Sequence, residues 1–102
     1  MERSQLKSQY RTLYSDIEAI LFKHDLMGIN FEDNTDEYAP EVDTILPRLK
    51  DARNKEDVIT ILHEEFMRWF GEGIVKNKNH PTYLAMATEI WAAWVKHSGT
   101  QT

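Results

Sequence analysis

Leu6-Lys-Ser-Gln-Tyr10-Arg-Thr-Leu13-Tyr-Ser-Asp-Ile17-Glu-Ala-Ile-Leu21 is the stretch that decides the fold class. Its apolar residues Leu6, Tyr10, Leu13, Ile17 and Leu21 recur every three or four positions, and Tyr14 and Ile20 widen the same side. That spacing puts them on one face of an α-helix, with the charged residues opposite. Ser4 is placed to cap the start. Beyond His24 come Gly28, Asn30, Asp33 and Asn34, residue types that favour turns. The spacing therefore predicts a first helix over about 5–24.

The same period continues outward along the chain. Tyr38, Val42, Ile45, Leu49 and Ala52 form a second stripe, over about 38–52. Pro40 suits its first turn, where a missing N–H costs nothing. Pro47 falls inside it and removes a backbone hydrogen bond, so a kink is expected there, on the side away from the apolar stripe. Asn54 with Asp57 three residues later opens a third helix over about 55–70, carrying Val58, Leu62, Phe66 and Trp69, with Gly71 and Gly73 available to close it. Pro81 begins a fourth, over about 81–98. Tyr83, Leu84, Met86, Ala87, Ile90, Trp91, Trp94 and Val95 cover most of its circumference, so it wants neighbours on several sides. No alternating pattern suggests a strand. The expected architecture is all-α: a single-domain four-helix bundle over 1–102, with helix two kinked at Pro47 and short connections favouring antiparallel neighbours.

Composition narrows the classes of function. The chain has 102 residues, 41% hydrophobic and 11% aromatic, enough for one cored domain. Having no Cys, it has no disulfides, no thiolate zinc site and no cysteine nucleophile, which suits a reducing, cytoplasmic setting. Met1 to Gln5 is polar, and no apolar run reaches the roughly 18 residues of a membrane span, so neither a secretory leader nor a membrane location is expected. The net charge of -5 argues against binding a phosphate backbone, so no nucleic-acid partner is expected.

The acidity is local. Asp25, Glu32, Asp33, Asp36, Glu37, Glu41 and Asp43 fall between Asp25 and Leu46 with no Lys or Arg among them, which leaves the rest of the chain slightly basic. Such a field attracts cations or a basic partner. Asp33 to Glu37 fails as a calcium loop, because Tyr38 stands where the sixth-position Gly belongs and Thr44 where the bidentate Glu belongs. Asp36, Glu37 and Glu41 are also explained without a ligand, as carboxylates near the start of a helix dipole. His63-Glu64-Glu65-Phe66-Met67 starts like a zinc-hydrolase helix, but Met67 replaces the second His. The four His have no Glu three residues before them, as a di-iron bundle needs. No phosphate-cradling glycine loop or nucleophilic serine signature is present. No metal and no cofactor are expected.

The run His24-Asp25-Leu26-Met27-Gly28-Ile29, then Asp36-Glu37-Tyr38-Ala39-Pro40-Glu41-Val42 and Ile45-Leu46, resembles a family of short bacterial proteins of unknown function. In that family an amphipathic helix ends in an Asp-Pro-x-Gly-like turn and the next opens with Asp-Glu-Tyr and a nearby Glu. The similarity spans about Tyr14 to Trp69, and Leu26 stands where the family pattern has proline. The resemblance implies a compact all-helical fold and a bacterial cytoplasmic origin, and carries no activity. In size and charge pattern the chain is also similar to small acidic helical immunity proteins that neutralise basic nuclease toxins.

These readings favour an adaptor-like or immunity-like interaction module over an enzyme. Its partner would be a basic protein, docked by Asp25, Phe31, Glu32, Asp33, Asp36, Glu37, Tyr38 and Glu41, with Tyr38 and Phe31 as aromatic anchors. Tyr38 equally continues the buried stripe of helix two. The alternative is a metal-dependent or acid–base enzyme using the Asp25 to Glu41 carboxylates. A homodimer through Trp91 and Trp94 is compatible with either.

Overall fold

A computed structural model describes residues 2–24, 38–71, 75 and 77–99, and among these the chain is all-α. Where four helices were expected, the described residues form five α-helices and one 3₁₀ helix: α1 (Arg3–Tyr10), α2 (Thr12–His24), α3 (Ala39–Ile45), the 3₁₀ helix Leu46–Asp51, α4 (Lys55–Phe70) and α5 (Pro81–Gly99).

The expected first helix is divided. Arg11 adopts φ 52° and ψ -122°, a left-handed region that costs a non-glycine residue about 1–3 kcal/mol. Its N–H still bonds to the Lys7 carbonyl at 2.8 Å, so α1 ends in an ordinary last turn before the chain redirects into α2. The break keeps the whole stripe inside: Leu6, Tyr10, Leu13, Tyr14, Ile17 and Leu21 are all buried. At the other end α1 starts before Ser4, with the Glu2 N–H donating to Gln5 Oε1 at 3.2 Å.

Pro47 acts differently from a kink. The α-helix stops at Ile45, and Pro47 enters a 3₁₀ helix near its start, where no donor is demanded of it. Leu46 and Leu49, three apart, eclipse one another at three residues per turn, and both are buried. Downstream, Asn54 Oδ1 accepts from the Asp57 N–H at 2.9 Å while Asp57 Oδ2 accepts from the Arg53 N–H at 2.8 Å, a reciprocal cap that fixes the start of α4. Gly71 closes α4 at φ 89°, a value that favours glycine.

Among the described residues, Tyr14, Tyr38, Phe66 and Tyr83 are the largest fully buried side chains. The Phe66 ring meets Tyr38 and Tyr83 at 6.3 Å each and Phe70 at 6.0 Å, tying α3, α4 and α5 together. α2 and α5 run antiparallel: Lys23 and His24 reach Glu89, while Thr12 and Leu13 share a hollow with Ala93 and His97. α5 buries Tyr83, Met86, Ala87 and Ile90 and leaves Leu84 and Val95 about half exposed, at 52% and 48%. Its breadth of apolar surface thus exceeds what its neighbours cover. No helix among the described residues is long and apolar enough to cross a membrane.

Candidate functional site

Two of the eight residues expected to dock a partner lie within the described residues, and both turn inward. Tyr38 is completely buried against Phe66, so the stripe reading holds for it. Glu41 is 4% exposed in the packed face of α3. These two side chains belong to the interior. Asp25, Phe31, Glu32, Asp33, Asp36 and Glu37 lie outside the described residues. Asp43, the seventh acid of the cluster, is neutralised within the molecule. It pairs with the Arg3 guanidinium at 2.8 Å and accepts from the Tyr14 hydroxyl at 2.6 Å. Burial, reinforced by that hydrogen bond, pushes the Tyr14 phenol above its usual value.

Both ends of the acidic stretch attach to well-packed structure. At the end of α2, Lys23 and His24 both bind the Glu89 carboxylate of α5. The Lys23 ammonium, helped by His24, holds that carboxyl below the usual carboxylate range. At the start of α3, the buried Tyr38 ring fixes the other end, and Tyr14 reaches the Ala39 carbonyl at 3.3 Å.

For the enzyme alternative, Glu41 is the one member of the Asp25 to Glu41 carboxylate set that lies within the described residues. Among the described residues no group of three or more His, Asp or Glu is arranged to hold a metal ion. Glu65, mid-helix in α4, is a fully buried carboxylate; its Oε2 meets Arg48 at 2.8 Å and its Oε1 lies 3.6 Å from Arg68. Arg48 also reaches Glu64 at 2.7 Å, and Trp69 donates to Thr44 Oγ1 at 3.0 Å one turn along. This cluster welds the 3₁₀ helix and α3 to α4.

An aromatic cluster went unnoticed in the sequence. The His97 ring stands 5.9 Å from Tyr10 and 5.9 Å from Trp94, where α1, the 3₁₀ helix and the end of α5 converge. Two hollows flank it: one of about 270 Å³ bounded by Gln9, Tyr10, Lys50, Trp94, His97 and Ser98, and one of about 410 Å³ on the side of Thr12, Asp16, Ala92 and Lys96. The helix period carried a usable signal, since His97 lies three after Trp94 and seven after Ile90, on the core face of α5. Comparisons of the chain with protein-family models, curated proteins and solved structures return no match.

Proposed function

We propose that the protein is an adaptor-like interaction module that docks a basic protein partner through the segment Asp25–Glu37. One observation carries the reading. Five of the seventeen Asp and Glu fall in those thirteen residues with no Lys or Arg, leaving twelve acidic side chains against twelve basic ones in the remainder. The charge excess of the chain is thus the charge of one segment, carried between two anchors, the His24–Glu89 pair and the Tyr38 ring. Scaffolds that fix the ends of a connecting segment commonly use it for recognition, and a one-signed field speeds encounter with an opposite charge. The four-helix description, counting α1 and α2 as one bent rod, and a cytoplasmic setting consistent with the absence of Cys belong to the same reading. So does self-association through Trp91 and Trp94, both partly buried against the core, which the half-exposed Leu84 and Val95 on the same helix support.

Binding of a lysine-rich peptide, titrated from low to high salt, tests the proposal. Affinity should fall steeply with salt, and Asp36→Lys with Glu37→Lys should weaken it about tenfold or more at low ionic strength. Affinity indifferent to both changes overturns it.

A further inference from the structure

We propose that the hollow between Tyr10, Trp94 and His97 is a binding site for a small planar aromatic carboxylate. Three elements build it: α1 contributes Gln9 and Tyr10, the 3₁₀ helix Lys50, and α5 Trp94, His97 and Ser98. Its volume, about 270 Å³, lies just under the range of roughly 300–1,000 Å³ typical of drug-sized ligands, which suits one fused ring system and excludes a nucleotide. Aromatic walls meet on His97, whose plane is inclined 44° to Tyr10 and 31° to Trp94, so a flat ligand can lie against one face and meet the edge of another.

The charge of the lining selects the ligand's sign. Lys50 is exposed and brings a cation to the rim, Gln9 and Ser98 add neutral hydrogen-bonding groups, and no carboxylate among the described residues lines this hollow. An aromatic ring with an anionic group uses both features: the ring against Trp94 and His97, the carboxylate on the Lys50 ammonium. The larger hollow behind His97 has Asp16 beside Lys96 and makes no such selection.

A second observation marks the same place. Arg11, the one positive-φ non-glycine residue among the described residues, directly follows Tyr10. Its strained turn sends Gln9 and Tyr10 to one hollow and Thr12 and Leu13 to the other. Strain of this kind concentrates where a fold holds a site in shape.

The test uses the full chain with three probes followed by calorimetry and by NMR of the His97 and Trp94 rings. Indole-3-acetate should bind saturably with a dissociation constant of roughly 0.1–1 mM and move both ring signals. Acetate, without the ring, and tryptamine, with the opposite charge, should each bind about tenfold more weakly or worse. Lys50→Glu, at an exposed position, should weaken indole-3-acetate about tenfold, while Lys78→Glu, at another exposed position, should leave it unchanged. Absence of saturable binding by indole-3-acetate overturns the proposal. So does tryptamine binding as tightly, or equal losses from the two lysine reversals. Retention of the wild-type ring signals in Lys50→Glu without ligand confirms that the variant is folded.

Discussion

Glu65 and Glu89 are each held by two bases, and the resemblance ends there. Glu65 sits on α4 with no exposure, between Arg48 and Arg68, whereas Glu89 sits on α5 with 35% of its side chain in water, between Lys23 and His24. Coulomb attraction between exposed groups is screened by solvent and salt, so the Glu89 cluster contributes little to stability. A carboxylate removed from water must keep its partner, because an uncompensated buried charge is among the costliest defects a core can carry. The difference separates two jobs. Glu65 fastens the 3₁₀ helix to α4, and Glu89 tethers the end of α2, from which the acidic segment departs.

The contrast can be broken at Glu65 first. Arg48→Ala leaves that carboxylate facing only Arg68, at 3.6 Å, and should destabilise the protein by about 3 kcal/mol in urea unfolding. Adding Glu65→Gln removes the buried charge and should restore part of the loss; a double variant no better than the single one contradicts the assignment.

A loss of similar size should follow from raising the pH. Burial pushes the Tyr83 phenol up to about 12 from 10.0, so the folded state keeps its proton where the unfolded chain has lost it. The stabilisation is complete below pH 10 and disappears as pH rises toward 12, a gap worth about 3 kcal/mol. Tyr14, raised in the same direction, adds to the loss. The Arg48 guanidinium stays protonated throughout this range, so denaturant midpoints measured across it follow the buried phenols.

At the far end of α2 from the Glu89 tether, Arg11→Gly relieves the left-handed strain and should raise stability by about 1 kcal/mol, after glycine's greater entropy in the unfolded chain is subtracted. A melting temperature below wild type would contradict it.

Glu89→Gln should have the smallest effect, below about 1 kcal/mol and vanishing in high salt. Because the folded state lowers this carboxyl's pKa, its contribution is present above the unfolded value of 4.5 and disappears as pH falls through the lower folded one. Acid titration of stability in wild type and Glu89→Gln should therefore converge at low pH.

What the sequence disclosed follows from how local each signal was. The bounds of α4 were legible because Asn54 and Gly71 act within one turn of the helix they delimit. The division at Arg11 was not, since Leu6, Tyr10 and Leu13 keep an unbroken helical period and no residue nearby breaks helices; the bend comes from tertiary placement. Pro47 announced a disturbance, though a kink and a change to 3₁₀ geometry satisfy the same missing donor. The acidic excess was visible as charge. The inward turn of Glu41 was not, because burial of a glutamate depends on what packs against its helix. Nor was the aromatic hollow, whose walls Tyr10, Lys50 and His97 stand at least forty residues apart along the chain.

Pro47 has an angular consequence. From Ile45 to Arg48 a 3₁₀ path turns about 360°, where an α-helix would turn about 300°. The proline ring thereby indexes the azimuth at which Arg48 leaves the backbone, and with it the approach of the guanidinium to Glu65. A substitution that allowed the α-helix to continue would rotate Arg48 by about 60° away from its acid, so mutational drift at position 47 is coupled to position 65 across the helix interface without the two side chains touching.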